Sequence, residues 1–259
     1  MTKYGGRVLH SRRDDMGLIE VVETHGIRSL HFGTPARQSC LCLATPERLE
    51  LPYLRAMLIG LAFVATPRRI LLLGLGGGSL AGFLLAHCRG ASIEAVELRP
   101  AMIEIAREYF GLPESSRLRI RIADAGEYIN VLAARGERDF DLILVDAFDD
   151  QGVAPFVMQH DFFSAAATCL APGGVFSVNL WSAHAESFRA VMRLVKLYFP
   201  CAAHALPVMG RGNVIGVGLR SGGAPIRFRE ALAAAQRLQQ SLGIEFTRLL
   251  QRLAPPWPR

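Results

Sequence analysis

Lysine, closely spaced cysteines and long apolar runs are all scarce in this sequence, and each shortage argues against a particular class of protein. Only two of the 29 basic residues are lysines, Lys3 and Lys196. The arginines are scattered along the chain, so the net charge of +6 does not form the basic stripe expected of a nucleic-acid-binding face. We therefore interpret the charge as an arginine-rich surface, with a polyanionic partner as the less favoured alternative.

The spacing of the five cysteines and the length of the apolar stretches argue against disulfide-framed, zinc-binding and membrane-spanning proteins. No two cysteines are spaced as C-x-x-C and their number is odd, so neither a disulfide framework nor a zinc site is predicted. The longest apolar stretch, residues 54–65, contains Arg55 and is shorter than the roughly 20 residues of a bilayer-spanning helix. Residues 1–15 are polar and lack the apolar core of a secretory signal. These features predict a cytoplasmic protein without a metal site or a membrane partner.

The order of apolar segments predicts an α/β protein with two unlike parts. Short β-leaning segments fill residues 1–50 and predict a small N-terminal β-appendage, and a connecting helix with Pro52 near its start is expected over residues 51–66. From residue 67 to residue 222, strands and helices alternate, which is typical of a Rossmann-like, mostly parallel sheet. Residues 223–259 are predicted to form a helical tail that breaks near Gly243.

A glycine-rich loop stands where the first strand of the alternating part is followed by a helix. Gly74, Gly76 and Gly78 lie between the apolar residues 70–73 and a helix predicted over residues 79–87. Glycines there let the backbone approach a ligand, and the start of the helix offers free N–H groups. Residues 76–81 also match the dinucleotide pattern G-x-G-x-x-A. The loop alone therefore leaves nucleoside, dinucleotide and purely structural interpretations open.

Three acidic residues close the next three predicted strands and favour a nucleoside cleft. Glu97 ends the second strand, where a carboxylate can accept hydrogen bonds from both ribose hydroxyls. Asp124, beside Ala125, follows the third strand and can accept from an adenine amino group or cap the next helix. Asp146 ends the fourth strand, three positions before Asp149. Because parallel strands end at one edge of a sheet, these side chains are expected around the glycine loop.

The order of these motifs resembles the polyamine aminopropyltransferases, the spermidine synthase family, over roughly residues 18–219. The resemblance rests on the glycine loop, the acids that follow it, an upstream Gln38, the run Leu-Ala-Pro-Gly-Gly at residues 170–174, and a β-segment before a methyltransferase-type Rossmann domain. It implies a homodimeric enzyme that binds decarboxylated S-adenosylmethionine and transfers the aminopropyl group to a small-molecule amine.

The resemblance also implies roles for individual residues. Asp146 is the implied base, which converts an ammonium into a nucleophilic amine, and Asp149 is implied to help bind that amine. Trp181, after the fifth predicted strand, is a further candidate for the acceptor pocket, with plain packing as its alternative. The other implied assignments are Glu97 to the ribose, Asp124 and Ala125 to the adenine, Gln38, Gly74, Gly76 and Gly78 to the cofactor cleft, and Tyr53 to the substrate.

Departures from the family pattern keep two other functions open. Gly77 stands where the family has an acid for the aminopropyl group, and Leu54 and Arg55 replace polar and acidic residues after Tyr53. A buried cation without that acid is costly. One alternative is therefore a methyltransferase that uses intact S-adenosylmethionine, with Arg55 paired to an anionic group in the cleft. The other is a nucleoside-binding protein without turnover, against which the retention of both aspartates argues.

Overall fold

The computed structural model describes residues 2–64, 66–148, 152–222 and 228–253, and these contain two β-sheets and their surrounding helices. In chain order the strands are β1 Thr2–Lys3, β2 Gly6–Asp14, β3 Gly17–Thr24, β4 Ile27–His31, β5 Ser39–Cys42, β6 Arg69–Leu73, β7 Ser92–Glu97, β8 Leu118–Ile122, β9 Phe140–Val145, β10 Leu170–Trp181, β11 Ala202–Pro207 and β12 Asn213–Leu219. The α-helices are α1 Pro52–Met57, α2 Ser79–His87, α3 Pro100–Phe110, α4 Ala125–Ala134, α5 His160–Cys169, α6 Ala185–Tyr198, α7 Phe228–Leu242 and α8 Phe246–Arg252, and two 3₁₀ segments span Leu58–Ala62 and Pro155–Met158.

The larger sheet has seven strands in the order β11-β12-β10-β9-β6-β7-β8. The five strands from β10 to β8 are parallel, whereas β12 runs antiparallel to β10 and β11 antiparallel to β12. The chain enters at β6, adds β7 and β8 on one side, and then adds β9 and β10 on the other. This reversal opens a crevice at the carboxyl ends of β6 and β9, where sheets of this kind bind ligands. The predicted α/β class with a mostly parallel sheet is confirmed.

Strand β6 is covered on both faces, as its uninterrupted apolar sequence requires. Its residues Ile70, Leu71, Leu72 and Leu73 are at most 1% exposed. Ile70 and Leu72 pack into the core cluster that includes α2, whereas Leu71 and Leu73 pack into the cluster that includes α4, α5 and α6. Because successive side chains of a strand point to opposite faces, the strand anchors both helical layers to one sheet.

The connecting segment is wound differently from the single helix that was predicted over residues 51–66. The α-helical part ends at Met57, and a 3₁₀ segment, Leu58–Ala62, follows it. At Gly60 a Cβ atom would lie 2.9 Å from the Leu142 side chain and 3.2 Å from that of Val175. This close approach to the sheet accompanies the tighter winding. Helices α7 and α8 flank Gly243, near which the sequence predicts a break in the helical tail.

The N-terminal sheet is antiparallel, with its strands in the order β1-β2-β3-β4-β5. Its apolar face packs on α3, with Ile19 and Leu30 in the same cluster as Met102. An ion pair between the buried Arg99 and the partly buried Asp14 adds to this contact, since Arg99 donates to both carboxylate oxygens of Asp14 at 3.0 and 2.7 Å. The docking brings the start of β5 beside the glycine loop.

Within the described ranges, no helix combines the length and the apolar character needed to cross a bilayer. Among the same residues, no three side chains of His, Cys, Asp or Glu are grouped so that they could hold a metal ion.

Candidate functional site

The glycine loop lies at the carboxyl end of β6 with its backbone turned towards the crevice. Gly74, Gly76 and Gly78 have φ angles of +102°, +55° and +77°, which side-chain-bearing residues rarely adopt. A Cβ atom on Gly74 would collide with the backbone carbonyl of Asp146, whereas one on Gly76 would have no neighbour within 4 Å. Gly74 therefore lets two strand ends approach each other, and Gly76 borders open space in which a ligand can approach the backbone.

Glu97 ends β7 directly beside this loop. Its Oε2 atom accepts a hydrogen bond from the Leu75 backbone N–H at 3.1 Å, and its Oε1 atom accepts from that of Arg99 at 2.9 Å. Burial raises the pKa of Glu97, and the backbone N–H groups oppose that shift. Each carboxylate oxygen has a second lone pair, so these bonds orient the group and leave it able to accept from a diol.

Asp124 and two apolar side chains lie at the adjacent strand ends. Asp124 caps α4, because its Oδ1 atom accepts from the backbone N–H of Glu127 at 2.9 Å, and Ala125 opens the helix in a buried position. Leu98 directly follows β7 and is 47% exposed, and Ile122 is the last residue of β8 and is 59% exposed. Apolar surfaces beside a polar acceptor suit a flat heteroaromatic ring. Asp124 is thus a helix cap, and its contact with adenine stays a prediction.

Asp146 follows β9 on the other side of the loop, and its backbone N–H donates to the carbonyl of Leu73 at 2.8 Å. Its Oδ2 atom accepts from the Tyr53 hydroxyl at 3.1 Å, and its Oδ1 atom accepts from the Asn179 amide at 2.9 Å. Burial raises the pKa of Asp146, and these two hydrogen bonds oppose the shift. Burial also raises the pKa of Tyr53 well above its usual value, and the Asp146 charge adds to this, so the hydroxyl stays a donor. A carboxylate held in this way is oriented to accept a proton.

Tyr53 and Arg55 both lie on α1 but face in different directions. The Tyr53 hydroxyl, besides its contact with Asp146, lies 3.4 Å from the carbonyl oxygen of Gln38, which places Gln38 at the same pocket. Arg55 instead donates to a main-chain carbonyl at 3.0 Å and lies 3.5 Å from a carboxylate oxygen of Glu245, before α8. Residues two apart on a helix point about 200° apart. In this structure Arg55 is thus paired with Glu245, and its contacts do not support the alternative in which it pairs with an anion in the cleft.

Two asparagines extend the hydrogen bonds of Asp146 onto the antiparallel strands. The Nδ2 atom of Asn213 donates to the Oδ1 atom of Asn179 at 3.0 Å, and both residues are buried. Trp181 pairs with Asn213 between β10 and β12 and is 42% exposed, with Gly212 leaving room for its ring. The sequence analysis did not connect Asn213 with Asp146. Its only sequence signal is a polar residue that opens an otherwise apolar strand.

Ser39 fills the space next to Gly77. The Oγ atom of Ser39 accepts from the Gly77 backbone N–H at 3.3 Å and lies 3.3 Å from the hydroxyl of Ser79. A Cβ atom on Gly77 would come within 2.6 Å of the Ser39 hydroxyl and 3.1 Å of the Phe110 ring. An acidic side chain at this position would therefore require Ser39 to move. Sequence reasoning identified the missing acid but not the serine that occupies its place.

The remaining predicted site residue, Asp149, lies outside the described residues. The structure nevertheless brings together side chains that are far apart in sequence, since Tyr53 and Asp146 are separated by 93 positions. Glu97 bonds to Leu75 of the glycine loop, and Asp146 bonds to Leu73, which precedes the loop. Gln38 precedes Ser39, which accepts from Gly77.

The glycine loop and the acids at the carboxyl edge of a mostly parallel sheet define a Rossmann-like protein with a candidate nucleoside cleft. Residues 53–213 match the family model of the spermine/spermidine synthase domain. The chain is also 34% identical over 236 residues to the polyamine aminopropyltransferase of Chromobacterium violaceum, covering 91% of this chain and 88% of that protein. The chain belongs to the spermine/spermidine synthase family and is a transferase, so the resemblance in the sequence is confirmed.

Two solved structures have the same fold. A spermidine synthase in complex with the transition-state analogue AdoDATO superposes with a TM-score of 0.72 at 18% identity, covering 96% of this chain and 85% of that one. Human methyltransferase-like protein 13 in complex with SAH superposes with a TM-score of 0.66 at 28% identity, covering 80% and 96%. The same fold therefore occurs in a protein named as a spermidine synthase and in one named as methyltransferase-like.

Proposed function

We propose that this chain is an aminopropyltransferase that binds decarboxylated S-adenosylmethionine and transfers its aminopropyl group to a small-molecule amine. The observation that carries the proposal is the carboxylate of Asp146, which two donors hold at the same sheet edge as Glu97 and the glycine loop. Family membership supports the reaction type, because polyamine aminopropyltransferases are among its most similar relatives.

The residues at the sheet edge suit the nucleoside part of such a donor. The open backbone at Gly76 admits close approach, and the oriented carboxylate of Glu97 would hold the ribose. Asp124 would accept from the adenine amino group, between the exposed side chains of Leu98 and Ile122. This arrangement needs no metal, since every contact is a hydrogen bond or an apolar one.

Asp146 would supply the base. The acceptor arrives as an ammonium, which has no free lone pair, so one proton must pass to a carboxylate before it can attack. Burial raises the pKa of Asp146, and Tyr53 and Asn179 hold its oxygens in place. The donor supplies a methylene carbon activated by the adjacent sulfonium. As the C–N bond forms, the C–S bond breaks and its electron pair stays on sulfur. Asp149 and Trp181 are proposed to contact the acceptor.

The test compares two donors on the same protein. Calorimetry measures the affinity for decarboxylated and for intact S-adenosylmethionine, and mass spectrometry identifies the product formed with a panel of diamines. We expect tighter binding of the decarboxylated donor and release of methylthioadenosine. Preferential binding of the intact donor with release of S-adenosylhomocysteine would refute aminopropyl transfer.

The base assignment is tested with a matched pair of variants. Asp146→Asn is expected to abolish transfer while leaving methylthioadenosine affinity nearly unchanged. Asp141→Asn is the control, because Asp141 lies near the start of β9, the strand that Asp146 follows, and accepts there from the backbone N–H groups of Arg68 and Arg69. Wild-type turnover in Asp146→Asn would rule out the base role.

One observation favours a methyltransferase as the second candidate. Ser39 closes the space beside Gly77, so no carboxylate from that position can neutralise an aminopropyl ammonium. The 28% identity with human methyltransferase-like protein 13 points in the same direction. Asp146 would then deprotonate an amine that accepts a methyl group. The donor comparison separates the two candidates, because methyl transfer consumes only the intact cofactor.

A further inference from the structure

The hydrogen bonds around Asp146 continue through a second residue to a third, from β10 onto β12. Asn179 bonds to Asp146 on one side and to Asn213 on the other, and the two asparagines are 3% and 7% exposed. Buried amides that lack partners are costly, so their orientation is strongly determined.

Strand register explains why the asparagines meet. Asn179 pairs with Ile215, and Trp181 pairs with Asn213. Asn213 is therefore the diagonal neighbour of Asn179 on the same face, and the two amides meet there in a 3.0 Å hydrogen bond. The contact depends on the antiparallel pairing of β10 with β12, since a shift by one residue would turn Asn213 to the opposite face.

The direction of each bond gives Asn213 a specific effect. Its N–H group donates to the carbonyl oxygen of Asn179, which turns the Asn179 amide nitrogen towards Asp146. The reversed Asn179 amide would place its oxygen against the Asp146 carboxylate and its N–H group against the N–H group of Asn213. Both of those contacts are repulsive, so Asn213 keeps Asn179 a donor.

We propose that Asn213 is a positioning residue for the transfer reaction, which locks Asn179 as a donor and thereby keeps Asp146 ionised and able to accept a proton. The inference rests on the proposed role of Asp146 as base. On the opposite side of the carboxylate, Tyr53 from α1 is the titratable group that bonds to it among the described residues. Asn213 touches neither donor nor acceptor in this scheme and acts only through Asn179.

The decisive variant is Asn213→Asp. It replaces a donor by a second carboxylate, so two carboxylates compete for the single N–H face of Asn179. A proton is then retained at higher pH, and the acidic limb of kcat/KM against pH should move upward by about one unit. Asn213→Ala should lower kcat several-fold with little change in KM, and Asn213→Ser, which keeps a hydroxyl donor, should restore part of that loss.

A neighbouring substitution controls for general loosening of the turn. Ser182 donates through its hydroxyl to the carbonyl of Gly212, next to Asn213, but makes no bond to the asparagines. Ser182→Ala should leave the pH profile and kcat unchanged. An unmoved acidic limb in Asn213→Asp, or an equal shift in Ser182→Ala, would overturn the positioning role.

A second readout separates this inference from the function on which it rests. The side-chain amide resonances of Asn179 report the ionisation of Asp146 by NMR without any turnover. In the wild type they should titrate with pH, and in Asn213→Asp their midpoint should be higher. A wild type that transfers nothing would refute the proposed function alone. Asn179 resonances with the same midpoint in both proteins would refute the role of Asn213.

Discussion

Replacing Tyr53 by Phe removes one of the two donors to the Asp146 carboxylate while keeping the aromatic ring. The hydroxyl lies 3.1 Å from Oδ2 of Asp146, within the range of a direct hydrogen bond. A hydrogen bond to a charged group contributes about 1.5–3 kcal/mol. It favours the ionised form, so its loss raises the pKa of Asp146 further in the direction in which burial already moves it.

The size of the effect follows from the conversion of about 1.4 kcal/mol per pKa unit. The midpoint of the acidic limb of kcat/KM against pH should therefore rise by roughly one to two units in Tyr53→Phe. The rate at the alkaline plateau should change less, because Asn179 still orients the carboxylate. Initial rates of nucleoside product release, measured from acidic to alkaline pH, give both quantities.

Tyr128→Phe is the matched control, since it makes the same chemical change at a distance. The Tyr128 hydroxyl donates to Glu94 at 2.6 Å, whereas the donors to the Asp146 carboxylate among the described residues are Tyr53 and Asn179. Its pH profile should coincide with that of the wild type. Coincident profiles for Tyr53→Phe and the wild type would refute the claim that Tyr53 holds Asp146 ionised.

Three further predictions concern the glycine loop, the neighbouring Glu97 and the ion pair that links the N-terminal sheet to Arg99. Glu97→Gln should weaken methylthioadenosine binding by at least about tenfold in calorimetry, or ~1.4 kcal/mol, and unchanged affinity would exclude Glu97 as the ribose ligand. Arg99→Leu leaves Asp14 without its partner and should lower the free energy of unfolding in urea by about 2–4 kcal/mol; a loss below about 1 kcal/mol would contradict its anchoring role. Gly77→Ala should cost about 1–3 kcal/mol by overlap with Ser39, and adding Ser39→Gly should recover much of it; additive losses would argue against that overlap.

Much of the fold follows from local patterns in the sequence. The apolar run at residues 70–73 predicts a strand covered on both faces, and the alternation after it predicts a parallel sheet with helices. The glycine loop and the acids at strand ends could be located for the same reason, because the carboxyl ends of parallel strands share an edge. The homodimer and the cytoplasmic location stay predictions, as does the role of Asp149.

The direction in which a side chain points cannot be predicted from the local sequence pattern alone. Tyr53 and Arg55 are two positions apart, and only the packing of α1 shows that the tyrosine faces Asp146 while the arginine faces Glu245. Likewise, the glycine in place of an acid at position 77 is visible in the sequence, but its filling by Ser39 depends on how the N-terminal sheet docks.

The sequence by itself determined the class of fold, the family and the ends of the strands at which the chemistry is proposed. The tertiary structure decided which polar groups share hydrogen bonds, including the pairing of Asn213 with Asn179 across β10 and β12. The physical reason is one of range. Strand periodicity and glycine conformation depend on neighbouring residues, whereas the partners of a buried carboxylate are set by the register and docking of elements far apart in the chain.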